Sequence, residues 1–532
     1  MRFLKFAVLS LAIACLVFGG LAFSWLAYKK GTAEAINIIS SKLKRDVSAR
    51  PVQGYVFQFE NGVQRPAYSV APGARVELAI TNKRAAQTRI KIVDLHGKTI
   101  QDFGAVSVVP QTFSNETPWV SGAGYKSTLT WDVPPETKSG VYFVNGSEDF
   151  FVVVRPNERV APENKKKREP RAAYLVPTNT INAYAVTEKR SLYSHPLAVP
   201  TVSFLRPSKS SLRQHWLSLA KWSVINEPLG PVDFLTDADL EDSKALDPYD
   251  MLIVGGHSEY WTRNARLNFD AFVDRGGNAV IAGGNIMWWQ SRYEADGSLT
   301  AYKSEYLLDP VTDKRLVTNF WLDSQLQYPT NKSIGGSFRN GGFGKKRQGA
   351  EVSGPGMRIY DSGHPLMAGL GLADCDTIDL GGVTEYDGAD VAGLDGLGRP
   401  IPASDAQGSS RVQLLAWEWG WRGDSRTIGT THLFRRAPTS GTVLHMGSKE
   451  CCGKAWGKSE FPGVAINRKI ISKFVELTRR KQEVFSSKPP PAVSVPLSTP
   501  FKGSLPVVKG VCGTERAAIG TGKVTERKED DD

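Results

Sequence analysis

The residues with the clearest capacity for chemistry cluster in two short stretches near the middle of the chain. His257, Glu259 and Tyr260 follow one apolar run within four positions, and Asn285 follows the next apolar run along the chain. An imidazole beside a carboxylate can hold and transfer protons, and an amide can orient a polar substrate. Glu385, in the segment GGVTEYD, is a further candidate. We therefore take these residues as the candidate site.

Several familiar catalytic arrangements are absent from the sequence. It contains no G-x-S-x-G or G-x-C-x-G nucleophile elbow, which disfavours acyl transfer through a serine or cysteine triad. Its seven histidines include no H-E-x-x-H or His-x-His pair. No C-x-x-C pair exists, so a structural zinc site is disfavoured. Proton transfer by the clustered His and Glu side chains is the chemistry that the residues favour.

Two predicted parallel strands position these side chains. The apolar runs at 251–254 and 279–282 are each followed by Gly-Gly, and a helix-periodic segment at 265–273 joins them. Such a unit places both strands in one parallel sheet, where ligands bind beyond the carboxyl ends. We therefore expect His257, Glu259 and Asn285 to face one cleft.

Each candidate also has a structural interpretation. His257 can satisfy a buried backbone group, and Glu259 can pair with Arg263 or Arg266 on the predicted helix. Asn285 can hold a turn after the two glycines. Tyr260 and its tryptophan neighbours can be core residues rather than ligands.

Motifs around these residues resemble those of one protein family. GGHSEYWT, a helix and then GGNIMWWQSRYE resemble the large (beta) subunit of N,N-dimethylformamidase and its relatives. Four flanking segments match in order, between about residues 173 and 450: NAY at 182–184, SLY at 191–193, VSFLRP at 202–207 and LTDADL at 235–240. The resemblance implies a class I glutamine amidotransferase-like, flavodoxin-like catalytic domain and hydrolysis of amide C–N bonds.

The resemblance also implies a cofactor, namely one iron ion held by two tyrosine phenolates and a carboxylate. The motifs assign one phenolate to Tyr260 and the carboxylate to Glu385, with Glu259 as general base and His257 orienting or protonating the leaving amine. Trp288 stands where the family pattern has tyrosine, and an indole cannot replace a phenolate as a ligand. A complete iron site would therefore need Tyr293 or Tyr386 as a substitute.

Composition indicates the class of partner. The 532-residue chain carries a net charge of +12, which favours anionic surfaces, but it contains no nucleic-acid-binding motif. We expect a small-molecule amide or a glycan-like ligand, and a small subunit or a second copy of the chain as protein partner. Free thiols are expected for the cysteines; the alternative is a disulfide from Cys451 or Cys452 to Cys375 or Cys512.

The predicted organisation has five parts. The uncharged run from Phe6 to Tyr28 predicts a signal anchor or transmembrane helix within 1–30, which would hold the protein at the outer side of a membrane. The alternative is a cleaved signal peptide and secretion. Thereafter we predict a small all-β sandwich (50–155), a basic linker (156–171), an α/β domain with a mostly parallel sheet (172–483) and a disordered tail (484–532).

Two functions from different classes fit this sequence. The first is a metal-dependent hydrolase of amides. The second is a non-catalytic, envelope-associated binding protein that holds a glycan or an anionic polymer in the aromatic-rich mouth of the site.

Overall fold

The amino-terminal part of the protein consists of two sheets with a shared core. The structure is a computed structural model, and it describes residues 52–157, 169–194, 198–207, 212–348, 350–404, 411–453, 460–486, 491–496 and 512. The strands of this part are β1 (Gln53–Glu60), β2 (Val63–Pro66), β3 (Ser69–Val70), β4 (Arg75–Thr81), β5 (Ala86–Val93), β6 (Thr99–Val108), β7 (Leu129–Asp132), β8 (Gly140–Val144) and β9 (Phe151–Val154), with the short helix α1 (Pro118–Ser121) before β7.

These strands form sheets in the orders β2-β1-β4-β7 and β3-β9-β8-β5-β6. Alternate side chains of each sheet meet in one apolar core; in β5, for example, Ile90 and Ile92 are buried and Arg89 is exposed. The β3 edge contacts the rest of the chain, because the Ser69 hydroxyl donates to Asp239 over 2.6 Å. The predicted limits of the sandwich and the linker remain predictions.

The rest of the described chain is built around one long mixed sheet, with further helices and short strands outside that sheet. Its elements are β10 (Ala172–Val176), α2 (Thr178–Tyr184), β11 (Thr201–Val202), α3 (Arg213–Ser223), β12 (Val232–Thr236), β13 (Met251–Gly255), β14 (Tyr260–Thr262), α4 (Arg263–Asp274), β15 (Asn278–Ala282), β16 (Trp289–Tyr293), β17 (Leu299–Thr300), α5 (Asn331–Ile334), β18 (Gly336–Ser337), α6 (Phe338–Gly341), β19 (Gly342–Phe343), β20 (Gly356–Ile359), β21 (Thr377–Asp379), β22 (Glu385–Ala389), β23 (Val391–Leu394), β24 (Pro400–Pro402), β25 (Val412–Arg422), β26 (Ser425–Arg435), β27 (Thr442–His445), α7 (Pro462–Arg479) and β28 (Val495–Pro496).

The order of the long sheet is β12-β10-β13-β15-β27-β26-β25-β19-β22-β18. The first five strands pair in parallel, and the strands from β27 onward pair antiparallel. Helix α4 connects β13 to β15 and buries Phe269 and Phe272; its N-terminus is capped by the Thr262 hydroxyl, which accepts from the Ala265 N–H. The predicted strand–helix–strand unit is thus present.

The predicted fold class as a whole is wrong. Strands hold 34% of the structure and helices 18%, and the sheets are mixed rather than mostly parallel. The physical reason is the long hairpin of β25 and β26, eleven residues in each strand, which extends the parallel half with antiparallel strands. The chain is therefore predominantly β, and it does not have the α/β fold with a parallel sheet that the local motifs suggested.

The prediction of a membrane anchor is also corrected. In the part of the chain that the structure describes, no helix is both long enough and apolar enough to cross a bilayer. The segment to which the prediction applied, residues 1–30, lies outside the described residues. The membrane-anchored localisation is therefore not retained.

A disulfide between Cys375 and Cys512 joins the carboxyl-terminal segment to the long sheet. The backbone carbonyl of Cys512 also accepts a hydrogen bond from Arg358 over 2.9 Å, and β28 pairs with β23. Cys451 and Cys452 are free and buried, so neither the expected free thiols at 375 and 512 nor the alternative pairing is correct. Much of the predicted tail lies outside the described residues, but this bond fixes one point of it.

We expect the disulfide to contribute to stability through the unfolded chain. The two cysteines are 137 positions apart, and closing such a loop is worth about 2–5 kcal/mol in the chain-entropy account. Cys375→Ser and Cys512→Ser should each lower the free energy of unfolding, and the double variant should lose no more than either single one. Labelling of both cysteines in denatured, unreduced wild-type protein would contradict the bond.

Candidate functional site

Three neighbouring parallel strands are each followed within two residues by a glycine, and each delivers a polar side chain to the same edge of the sheet. β13 leads into Gly256 and His257, β15 into Gly284 and Asn285, and β27 leads through Gly447 to Lys449. Because the carboxyl ends of parallel strands lie side by side, His257, Asn285 and Lys449 meet in space. All three are buried.

Glycine is required at the ends of these strands because other backbone segments pass close by. Gly256 adopts a φ of 74°, in the left-handed region that side chains disfavour. A Cβ atom on Gly284 would lie 2.6 Å from the carbonyl oxygen of Glu385 and 2.8 Å from the backbone nitrogen of Lys449. The absence of a side chain at 284 therefore admits β22, which carries Glu385, to the strand ends.

His257 lies between two carboxylates. Its Nε2 is 3.4 Å from Oε2 of Glu259, and its Nδ1 is 3.4 Å from Oε2 of Glu385. The Tyr184 hydroxyl lies 3.2 Å from Nε2, and the Gly284 carbonyl oxygen 3.2 Å from Nδ1. Burial by itself would lower the pKa of His257, but the two carboxylates outweigh it and the pKa is raised. The two carboxylates therefore favour the charged form of the imidazole.

Glu259 is a buried carboxylate with several donors. The Tyr193 hydroxyl lies 2.7 and 2.8 Å from its two oxygens, the Tyr184 hydroxyl donates over 3.0 Å, and the Asn285 amide lies 3.5 Å away. Burial would raise the pKa of Glu259, but hydrogen bonds from His257 and the two tyrosines outweigh it and the pKa is lowered. Glu259 and His257 therefore form a buried ion pair.

The two tyrosines are held by the segment that follows β10. Tyr184 is the last residue of α2, and its ring stacks on Tyr193 with centroids 4.2 Å apart. Arg206 is fully buried and donates to the carbonyl oxygens of Asn182 and Ala185, which fixes the chain at the end of the helix. This network explains why residues far from His257 in sequence reach its partner carboxylate.

Asp387 supports the other side of the site. Its two oxygens accept from the backbone N–H groups of Asn285 and Ile286, each over 3.1 Å, and one oxygen is 3.1 Å from Nε2 of His445. Asn285 has a φ of 56°, an uncommon conformation for a residue with a side chain. The carboxylate of Asp387 therefore stabilises the turn that presents Asn285.

Among the sequence-predicted site residues, three buried polar atoms have no hydrogen-bond partner among the described residues. They are the Tyr260 hydroxyl oxygen, Oδ1 of Asn285 and Oε2 of Glu385. The Tyr260 hydroxyl lies beside that of Tyr193 without good hydrogen-bond geometry, and the Glu385 oxygen has only ionic contacts. Burial raises the pKa of Tyr260 well above 10, so its hydroxyl is a neutral donor. Buried polar groups without partners are costly, so each of these atoms is a candidate contact for a bound ligand, water or ion.

The residues present do not fit the iron site that the resemblance implied. Trp288 packs against Phe320 at 5.6 Å between ring centroids and contacts Arg422, and it supplies no oxygen. Neither substitute is free, because the Tyr293 hydroxyl donates to Asn179 and the Tyr386 hydroxyl pairs with Ser353.

Glu385, the expected carboxylate ligand, already faces two cationic groups. Nζ of Lys449 is 3.5 Å from its Oε2, in addition to the charged imidazole of His257. Within the described ranges, no group of three or more His, Cys, Asp and Glu side chains is arranged to hold a metal ion. One phenol and one carboxylate that is already paired are a poor donor set for a trivalent ion.

The structure brings together His257, Glu259, Asn285 and Glu385, with Tyr260 adjoining Glu259 in the chain. Sequence reasoning missed four residues of the network: Tyr184, Tyr193, Asp387 and Lys449. The motifs NAY and SLY contained the two tyrosines, but no role was assigned to them. Lys449 had no signal, because the short strand β27 before it was not recognised.

Comparisons with known proteins identify one family. The model for "N,N-dimethylformamidase beta subunit-like, C-terminal" matches residues 95–455, which is more than half of the chain. No curated protein matches. Among solved structures, a cold-adapted beta-galactosidase from Rahnella sp. R3 is 10% identical, with 59% of this chain and 32% of that chain covered and a TM-score of 0.28.

A second solved structure is a ThuA-like protein from Parabacteroides merdae. It is 12% identical, with 63% of this chain and 100% of that chain covered and a TM-score of 0.23. Neither structural likeness is close enough to support an argument about this chain, and the expected amidotransferase-like domain is not shown by them.

The His257–Glu259 pair predicts a bounded pH range of added stability. The pKa of His257 is raised above 6.5, so its contribution is complete below pH 6.5 and is lost as pH rises through the raised pKa. The pKa of Glu259 is lowered below 4.5, so its contribution is complete above pH 4.5 and is lost as pH falls through the lowered pKa.

Glu259→Gln should therefore cost most between pH 4.5 and 6.5, by about 1–3 kcal/mol, because it removes one of the two carboxylates that face the buried imidazole. The measurement is the free energy of unfolding of the variant and the wild type from pH 4 to 9. Glu116→Gln, at an exposed position, is the matched control and should show no such pH dependence. A difference between Glu259→Gln and wild type that is constant with pH would contradict the ion pair.

Proposed function

We propose that this chain, which belongs to the N,N-dimethylformamidase beta subunit-like family, hydrolyses the C–N bond of a small amide that carries an N–H group. The observation that supports this proposal is the set of three unpartnered buried atoms. Tyr260 offers one hydrogen-bond donor, while Asn285 and Glu385 offer two acceptors. An amide carbonyl needs a donor, an amide N–H needs an acceptor, and an attacking water needs a second acceptor.

The proposed reaction uses these atoms in one sequence. Oε2 of Glu385 takes a proton from water as the water oxygen attacks the carbonyl carbon. The carbonyl oxygen gains the negative charge and accepts a hydrogen bond from the Tyr260 hydroxyl. The proton then passes from Glu385 to the amide nitrogen as the C–N bond breaks, which gives a carboxylic acid and an amine. Oδ1 of Asn285 accepts from the amide N–H and orients the substrate.

The neighbouring charged residues are positioning residues in this scheme. Both carboxylate oxygens of Glu259 and both ring nitrogens of His257 already contact other groups of the protein. Both oxygens of Glu259 accept hydrogen bonds, whereas Oε2 of Glu385 has ionic contacts with His257 and Lys449 but no hydrogen bond, so we assign the role of general base to Glu385. His257 fixes the position of Glu385 through its Nδ1.

The alternative is a binding protein that holds an amide-like or glycan-like ligand without reaction. The observation in its favour is the same internal pairing of His257 and Glu259, together with Trp288 in place of the family's tyrosine. Binding without release of amine distinguishes it from the hydrolase.

Tyr260→Phe should separate function from stability. The variant removes a buried hydroxyl without a partner, so the midpoint of thermal unfolding should stay the same or rise. Loss of one donor to the developing oxyanion should lower kcat by about 10²–10³-fold. Amine release from formamide, N-methylformamide and N,N-dimethylformamide is the measurement, and we expect turnover of the first two to exceed that of the third.

Tyr142→Phe is the matched control for this experiment. The Tyr142 hydroxyl donates to the Lys138 carbonyl over 2.7 Å in the amino-terminal sheets, away from the site. This variant should lose about 1 kcal/mol of stability and keep wild-type activity. Amine release by Tyr260→Phe equal to that of the wild type would remove Tyr260 from the mechanism. Absence of amine release by the wild type, with binding of the same amides, would favour the binding protein.

A further inference from the structure

A buried lysine contacts Glu385, the carboxylate that the resemblance assigns as a metal ligand. Lys449 is 5% exposed, and its Nζ is 3.5 Å from Oε2 of Glu385. The two residues are also joined through the backbone, because the Lys449 N–H donates to the Glu385 carbonyl oxygen over 3.1 Å. The ammonium is therefore held against the carboxylate by the fold and not by a flexible surface contact.

The surrounding residues show why a cation is needed at this position. Glu259, Glu385 and Glu450 are all buried at the same edge of the sheet. The Glu450 carboxylate accepts a hydrogen bond from the Thr384 hydroxyl over 2.6 Å. Thr384 directly precedes Glu385 in the chain. A group of buried carboxylates is stable only with compensating positive charge, which a metal ion or basic side chains can supply.

The donors for a metal ion are incomplete, whereas the basic side chains are in place. Trp288 supplies no oxygen, and the hydroxyls of Tyr293 and Tyr386 are hydrogen-bonded elsewhere. The Tyr184 and Tyr193 hydroxyls donate to Glu259, which leaves Tyr260 as the one candidate phenol among these described residues without such a bond. Lys449 and His257 both contact the Glu385 oxygen that a metal would use. Positive charge at that oxygen is therefore already provided by the protein.

We infer that Lys449 supplies the positive charge of this site in place of a metal ion, and that the protein folds and acts without iron. Its ammonium fixes Glu385 and adds positive potential where an anionic or carbonyl oxygen would be bound. The role of Lys449 toward a bound oxygen depends on the proposed function. The replacement of a metal ion by Lys449 does not, because metal content and stability are measured without any substrate.

The first test is the metal content of the wild-type full chain, expressed in iron-supplemented medium and purified without chelator. We expect far less than one iron or zinc per chain, no visible absorption band from a phenolate–iron pair, and no change in unfolding midpoint after treatment with a strong chelator. About one tightly held iron per chain, with loss of stability on chelation, would overturn the inference.

The second test asks whether the site uses the charge of Lys449. Lys449→Met should lower the unfolding midpoint, and Lys449→Arg should retain most of it. In a double-mutant cycle, Lys449→Met should cost clearly less in a Glu385→Gln background than in the wild type. Lys98→Met, at an exposed turn position, is the matched control and should leave the midpoint unchanged. Equal losses in Lys449→Arg and Lys449→Met, with no coupling to Glu385, would overturn the inference.

The two proposals can fail separately. If Lys449→Met does not fold, the wild-type metal content still decides the inference. Amine release by iron-free protein supports both proposals, whereas amine release that requires iron rejects the inference and leaves the amide hydrolase standing. Iron-free, folded protein without amine release supports the role of Lys449 and rejects the hydrolase.

Discussion

Burial of the Glu259 carboxylate is the constraint on which the rest of the site depends. A carboxylate removed from water is unstable unless other groups replace its hydration. Here the replacement comes from a charged imidazole, two tyrosine hydroxyls and one amide. Burial would raise the pKa of Glu259, but His257 and the two tyrosines outweigh it and the pKa is lowered. These donors lie on separate segments of the chain, and each segment must be held in place. Stabilising the buried Glu259 carboxylate therefore depends on several parts of the fold.

Those segments are fixed by polar contacts of their own. Arg206 holds the end of α2 and thereby Tyr184, and Asp387 holds the turn that carries Asn285. The Thr180 hydroxyl accepts from the backbone N–H groups of Glu259 and Tyr260 over 2.9 and 3.2 Å. The site is therefore a preorganised network of polar groups in the buried interior of the protein. Such a network leaves few polar atoms without a hydrogen bond, and those atoms are the candidate contacts for a ligand.

The sequence predicted the local unit of this site better than the whole fold. Gly-Gly after two apolar runs indicated parallel strands, and β13, α4 and β15 form that unit. The fold class was wrong because β25 and β26 were not recognised, although Trp417, Trp419 and Trp421 alternate as strand residues do. Lys449 and Tyr193 could not be placed from sequence, since only the tertiary pairing of distant strands and loops brings them to Glu259 and Glu385. The motif that assigns an iron ligand to Tyr260 was recognisable in the sequence. Whether other side chains could complete the ligand set depends on packing, because Trp288 stacks on Phe320 and the Tyr293 and Tyr386 hydroxyls are already hydrogen-bonded.

The position of the site follows from the change of strand direction in the long sheet. β27 runs parallel to β15 on one side and antiparallel to β26 on the other. The parallel half contributes His257, Asn285 and Lys449 from its strand ends, and the antiparallel half contributes Glu385 and Asp387 from β22. Gly284 is the point of contact, because a side chain there would strike the Glu385 backbone. Neither half alone contains all of these side chains. The parallel strands supply His257, Asn285 and Lys449, but Glu385 and Asp387 come from β22, so only the mixed sheet brings the whole group together.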